Sequence, residues 1–227
     1  MKAFLRDRGL SLALVVAIMF LIAISQAGIS SSFAFGRLRN HLPAVTPVIV
    51  GALVALQMAL VALSFVLWVL NRRRALFKVI VIANTFFTAL LLFYTAVLMA
   101  VLAGLSSRSA DTLITDVALI AVSNILIFSI WYWIIDPPGI VEGEDGERQW
   151  AFLFPQRASD LPRFEAWVPR YVDYVFIAFT TSFAFSPTDT LPLTRSAKML
   201  MLLQSTISVV TLTGIAGSAI NILAGAS

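Results

Sequence analysis

The chain has no cysteine and one histidine, and only 12% of its 227 residues are charged. Without cysteine it can have no disulfide, no thiolate metal ligand and no cysteine nucleophile. The histidine, His41, falls in a loop beside Pro43, and no pair of carboxylates falls within one apolar stretch. Catalytic sites are usually built from such groups, so we expect no enzyme, no metal site and no cofactor.

Apolar sequence is what the chain has in abundance, at 59% of all residues. A helix that crosses a bilayer needs about 20 mostly apolar residues. Spans must be helices or closed barrels, and runs such as Leu12–Ile24 lack the alternation of barrel strands. The sequence therefore predicts an all-α, polytopic transmembrane helical bundle with five or six spans. The apolar stretches are Gly9–Gly28, Val45–Leu70, Val79–Leu105, Thr112–Ile135, Val172–Ser186 and Ala197–Leu223.

The fifth stretch, Val172–Ser186, is short and contains Asp173, so it either spans the membrane or re-enters it. Lys and Arg concentrate on cytoplasmic loops. With six spans and a cytoplasmic N-terminus, eleven of the 16 Lys and Arg residues fall inside. With a re-entrant fifth stretch, Arg195 and Lys198 join them, which leaves three outside. Both alternatives favour a cytoplasmic N-terminus, and we expect a bacterial plasma (inner) membrane.

Three regions follow from this pattern. Residues 1–136 are expected to form a four-helix transmembrane region, and 137–170 a hydrophilic loop that is acidic and then aromatic and basic. Residues 171–227 hold a helix or pore-loop-like segment and the final transmembrane helix. We expect Trp131–Trp133 to form an interfacial aromatic belt and the aromatic-basic half of the loop to lie on lipid headgroups.

Polar side chains within the last region are the candidate functional residues, because polar groups inside spans are costly and often functional. Asp173 also has a structural interpretation, as a carboxylate favoured at a helix N-terminus near Arg170. Thr194 is predicted to cap the final helix. The candidates for a pore or substrate path are Asp173, Thr180, Thr181, Ser186, Thr188, Asp189, Gln204 and Ser208.

Small residues near the end of the chain suggest close helix packing. Gly214 and Ser218 form a small-xxx-small pair, with Gly217 beside them. Such residues let helix backbones approach closely in lipid. This pattern is equally typical of a membrane scaffold that transports nothing.

The stretch Ala184–Arg195 combines Ser-Pro-Thr-Asp-Thr with Leu-Pro-Leu-Thr-Arg. Through it, Tyr171–Leu223 resembles the C-terminal region of a family of uncharacterised bacterial multi-pass membrane proteins that carry a domain of unknown function. More distantly, the order Asp189, Pro192, Thr194 is similar to a two-helix potassium-channel pore. Where that pore has the glycines of its filter, this chain has Ser186 and Thr188, so the resemblance implies a degenerate pore loop.

These observations predict a multi-pass inner-membrane protein that is channel-like or permease-like through a degenerate pore-loop module. The alternative is a non-transporting membrane scaffold or interaction protein. The lipid bilayer is the expected partner, and a homo-oligomer and an inorganic cation are candidate partners. Nucleic acid is not expected, because loops facing anionic lipid explain the net charge of +4.

Overall fold

The computed structural model describes residues 9–29, 44–102, 110–136, 150–164, 167–184 and 189–225. Among these, helices dominate, and the predicted all-α bundle is confirmed. Two short strands pair antiparallel, with Phe152 opposite Pro192 and Leu153 opposite Leu191. The elements are α1 (Gly9–Gly28), α2 (Thr46–Val69), α3 (Arg73–Leu102), α4 (Ala110–Ile135), β1 (Phe152–Leu153), a 3₁₀ turn (Pro162–Phe164), α5 (Tyr171–Ala184), β2 (Leu191–Pro192) and α6 (Arg195–Gly225).

Five of the described helices, all except α5, are long and apolar enough to cross a membrane. The chain is therefore a membrane protein whose helices contact the lipid bilayer. Helix α2 is the most exposed to lipid of the five, because only 17% of its apolar stretch is buried within the protein. Large side chains such as Phe65 and Leu63 point outward from it, as expected where lipid replaces water around the helix.

Helix α4 forms the centre of the bundle. It packs against α1, α3, α5 and α6, and 56% of its apolar stretch is buried within the protein. Its buried residues include Ile120, Ile127 and Phe128. Because most of α4 faces its four neighbours, a buried polar residue on it must find partners within the protein.

The connection between α2 and α3 is tighter than the sequence indicated. Asn71 adopts a positive φ of 53°, a conformation in which Asn is several-fold enriched. This turn lets α3 begin at Arg73 rather than at the predicted Val79. Two of the three arginines of the predicted loop, Arg73 and Arg74, therefore belong to the first turn of a helix. The apolar pattern missed them because charged residues extend α3 beyond its apolar stretch.

All the basic residues that the structure describes lie at one end of the bundle. We call it the Asp136 end, because α4 stops there, β1 pairs with β2, and α6 begins. Helix α3 also begins there, since the Phe77 and Trp133 rings lie 6.1 Å apart. The described basic residues at this end are Arg72, Arg73, Arg74, Lys78, Arg157, Arg163, Arg170, Arg195 and Lys198.

Helix α5 enters the bundle without crossing it. Its 14 residues span roughly 21 Å, less than the ~30 Å of a bilayer core. Tyr174, near its start, donates to Asp136. After α5 the chain returns to the same end, because β2 pairs with β1 and the Leu193 amide donates to the Ala151 carbonyl at 2.9 Å. Of the two alternatives for this segment, the structure therefore has the re-entrant one.

Candidate functional site

A buried ion pair fixes the entrance of α5. Asp136 lies directly after α4, and its side chain is fully buried, while that of Arg157 is 4% exposed. Arg157 Nη1 lies 3.1 Å from Asp136 Oδ2 and donates to the Phe152 carbonyl at 2.7 Å. A buried charge pair is tolerated only when further hydrogen bonds satisfy it, and this pair has them.

The Asp136 carboxylate accepts hydrogen bonds from three further groups. The Ala151 amide donates to Oδ1 at 2.9 Å and the Phe152 amide at 3.3 Å. The Tyr174 hydroxyl donates to Oδ2 at 2.7 Å. Asp136 therefore joins the end of α4, the segment before α5 and α5 itself.

The aromatic residues around this pair belong to the protein interior. Tyr132 and Trp133 are buried, as are Phe152 and Phe154. The prediction of an interfacial belt at 131–133 is therefore wrong for these two α4 residues, and the prediction of headgroup contact is wrong for the two phenylalanines. The aromatic rings instead pack on one another, with Phe154 5.8 Å from Tyr174 in an edge-to-face arrangement.

Gln204 forms hydrogen bonds with the C-terminal half of α5. Its Nε2 donates to the Ala178 carbonyl and to Ser182 Oγ, both at 2.8 Å. Its Oε1 accepts a short hydrogen bond from the Tyr132 hydroxyl. One buried amide on α6 therefore links α4 and α5, and its hydrogen-bonding groups all have partners.

We call Gln204 and its partners Tyr132, Ala178 and Ser182 the clamp. A cavity of about 220 Å³ lies beside it, between α4, α5 and α6. Most of its wall is apolar, and its polar members are Asn124, Ser182, Ser208 and Thr211. Asn124 is twelve residues before Asp136, so the cavity lies roughly 18 Å below the Asp136 end. That depth puts it near the middle of a bilayer core.

One residue that lines the cavity, Asn124, has a buried acceptor that is not satisfied. Asn124 is 1% exposed, and its Nδ2 donates to Ser208 Oγ at 2.9 Å. Its Oδ1 has no hydrogen-bond partner within the part of the chain that the structure describes. A buried polar atom left unpaired costs about 1–3 kcal/mol, so a solute or cation that reached this oxygen would remove that cost.

The charges around the cavity favour a weakly bound positive or neutral ligand. Helix α5 runs inward, so its negative C-terminal end is the end nearest to the cavity. The lining residues supply amide and hydroxyl oxygens and no carboxylate. Across the described residues, no group of three or more His, Cys, Asp or Glu residues is arranged to hold a metal ion. Such neutral oxygens suit a monovalent cation or a polar solute better than a tightly held divalent ion.

The structure brings part of the predicted path together. Gln204 and Ser208 lie at the clamp and the cavity, and Thr181 is buried nearby with 1% exposure. Thr180 instead donates to carbonyls of its own helix, Phe176 at 3.0 Å and Ile177 at 3.1 Å. Thr180 therefore does not take part in the clamp.

The two carboxylates among the predicted path residues lie elsewhere. Asp173 Oδ2 accepts from the Arg170 amide at 2.6 Å, which is half of a capping box at the start of α5. Asp189 is exposed, two residues before β2, and therefore belongs to the Asp136 end. Two other candidates, Ser186 and Thr188, lie outside the described residues.

The small residues of α6 pack within the chain. A Cβ added to Gly214 would lie 3.2 Å from the Leu98 δ carbons and 3.3 Å from Val117 Cγ1, so glycine permits close contact with α3 and α4. At Gly217 the nearest atom would be Leu102 Cδ2 at 3.8 Å, an ordinary contact. The Ser218 side chain lies outside the described set. Thr194 caps α6 as predicted, since its Oγ1 accepts from the Ala197 amide at 3.2 Å.

Sequence reasoning missed the central residues Asn124, Tyr132, Asp136 and Arg157. Asp136 is only the last residue of the predicted four-helix region 1–136, and Arg157 lies in the half of the loop that is predicted to contact headgroups. Asn124 carried a usable signal, because an amide within an apolar stretch is costly unless it has a partner. The pairing of Asp136 with Arg157 had no local signal, since 21 residues separate them.

Comparison with protein families, with curated proteins and with solved structures finds no match for this chain. The arrangement therefore has to be interpreted from its own geometry.

Proposed function

We propose that the protein is a channel-like or permease-like inner-membrane protein that passes a small monovalent cation along the re-entrant helix α5. The observation that carries this proposal is the unpartnered Oδ1 of Asn124, a residue that lines a cavity near mid-bilayer at the negative end of a helix that does not cross. Transporter sites near the bilayer midplane use interrupted helices and their C-terminal ends in the same way to hold cations.

The composition of the cavity supports transit rather than storage. Its oxygens are neutral, so a cation gains little Coulomb energy there beyond the field of the helix end. Conduction requires binding that is favourable enough to enter but weak enough to leave. A site with a ring of carboxylates would hold the ion longer.

The position of the basic residues supports a cytoplasmic Asp136 end. The Lys and Arg residues that the structure describes are all there, and such residues concentrate on the cytoplasmic side. Helix α5 then enters from the cytoplasm. The bacterial plasma membrane is the location that this proposal assigns.

Cation flux into proteoliposomes tests the proposal. The purified protein is reconstituted, and uptake of K⁺ and of Na⁺ is measured for wild type, Asn124→Leu and Asn84→Leu. Asn84 is a matched control, because it is also buried on a bundle helix, donates to a backbone carbonyl (Ile127, 3.2 Å) and has an unpartnered Oδ1. It does not line the cavity.

We expect wild type and Asn84→Leu to take up at least one of the two ions and Asn124→Leu to lose uptake. The proposal fails if wild type moves neither ion. It also fails if both variants lose uptake equally while retaining their helical circular dichroism, because the cavity would then have no special role.

The rival function is a non-transporting scaffold. It is supported by the extent to which the polar groups of α4, α5 and α6 satisfy one another, as Gln204 does with Tyr132, Ala178 and Ser182. In that case the polar residues hold helices together, and the Asn124 and Asn84 variants change stability without any flux to lose.

A further inference from the structure

A second, wholly apolar groove lies on the lipid side of the bundle, between α1 and α2. It has a volume of about 360 Å³ and is lined by seven residues, three of them aromatic. Val16 and Val61 form its buried floor, and the exposed aromatic rings form its walls. The aromatic residues are Phe20, Phe65 and Trp68.

The groove lies in the half of the bundle next to the Asp136 end. On α1 it runs from Ala13 to Phe20, and on α2 from Val61 to Trp68. Each stretch rises roughly 10 Å along its helix, about two-thirds of the ~15 Å of one leaflet's hydrocarbon. Phe65 and Trp68 stand with ring centres 6.0 Å apart, so they present one continuous aromatic wall.

Positive charge adjoins the Trp68 end of the groove. Trp68 is followed four residues later by Arg72, and Arg72 and Arg74 are both exposed. The Arg72 amide donates to the Leu67 carbonyl at 3.0 Å, which fixes the turn directly above the groove. Apolar walls with a basic rim at headgroup height complement a lipid that has an acyl chain and a negative headgroup.

We infer that this groove binds one acyl chain of an anionic phospholipid, whose phosphate headgroup pairs with Arg72 and Arg74. The site is distinct from the cavity at Asn124 and does not depend on the proposed transport. A lipid bound there would stabilise the α1–α2 pair in the anionic leaflet, because α2 has few protein neighbours.

Lipid retention measured by native mass spectrometry tests the inference. The full-length protein in neutral detergent is mixed with phosphatidylglycerol or phosphatidylcholine carrying the same acyl chains, and with glycerol phosphate, which carries none. Arg72→Gln/Arg74→Gln removes the rim charges. Ala17→Phe fills the groove, and because Ala17 is exposed the larger ring does not enter the core. Arg195→Gln/Lys198→Gln removes two exposed charges from the same end as a control.

We expect phosphatidylglycerol to be retained over phosphatidylcholine, and retention to fall about fivefold for each rim arginine removed. Ala17→Phe lowers the retention of both lipids, glycerol phosphate is not retained, and the control pair has no effect. Equal retention of the two lipids by wild type overturns the inference, as does an equal loss in the rim and control variants. Full lipid binding by Ala17→Phe, or retention of glycerol phosphate, overturns the assignment of the acyl chain to the groove.

Discussion

Replacing Arg157 with methionine should be among the most destabilising single changes in the chain. Methionine keeps much of the length and apolar contact of the arginine stem, but the buried Asp136 carboxylate loses its countercharge. The Arg157 guanidinium also lies 4.8 Å from the ring centre of Trp150 and 5.4 Å from that of Phe154. Removing one member of a buried ion pair typically costs about 3–5 kcal/mol, and we expect a loss of unfolding free energy in that range.

A double variant separates the charge effect from lost packing. In Asp136→Asn/Arg157→Met the asparagine oxygen still accepts from the Ala151 and Phe152 amides, and no charge is buried. We therefore expect the double variant to be more stable than Arg157→Met alone, with a coupling energy of about 0.5–3 kcal/mol. The matched control is Arg163→Met, an exposed arginine of the same segment, which should change stability by no more than about 0.5 kcal/mol.

The assay is reversible unfolding in mixed micelles with a denaturing detergent, followed by circular dichroism. If Arg157→Met costs no more than Arg163→Met, the buried ion pair does not hold the entrance of α5. If the double variant is less stable than Arg157→Met, the cost of the single change comes from packing and not from the buried charge.

Three further predictions concern helix α6 and the segment that precedes it. Gly214→Leu should destabilise the bundle by about 1–3 kcal/mol in the same unfolding assay, because there is no room beside Leu98, whereas Gly217→Ala should be tolerated. Gln204→Leu removes three hydrogen bonds that are each worth about 0.6 kcal/mol in membranes, so we expect a loss of about 2 kcal/mol and a faster proteolytic cleavage of α5. Asp189→Asn should lower cation uptake at low ionic strength and have no effect in high salt, because an exposed charge at the entrance acts only through a screened field.

The spans could be predicted from the sequence because length and apolarity alone define them. The predicted stretch Val45–Leu70 corresponds to α2, Thr46–Val69, with Pro47 in its first turn. The cap at Thr194 also followed from local residue types. These features depend on neighbours within a few positions, and such signals are present in the linear chain.

The clamp and the cavity could be predicted only in part. Gln204 and Ser208 are four residues apart, a spacing that predicts one shared helix face. Their partners come from distant elements, with Tyr132 72 residues before Gln204. The re-entry of α5 stayed undecided because charge counting allowed both topologies. Pairing of β1 with β2 decides it, and two-residue strands carry no periodic signal.

Single-cysteine labelling tests the re-entrant path of α5 most directly, because the chain has no native cysteine to interfere. Probes replace Asp160, before α5, Asp189, after it, and Ala44, before α2, all of which are exposed. Each variant is labelled in intact cells and in inverted vesicles with a reagent that does not cross the membrane. The re-entrant fold predicts that Asp160 and Asp189 label from one side and Ala44 from the other. If Asp189 labels together with Ala44, α5 crosses the membrane, and the proposed path beside Asn124 is contradicted.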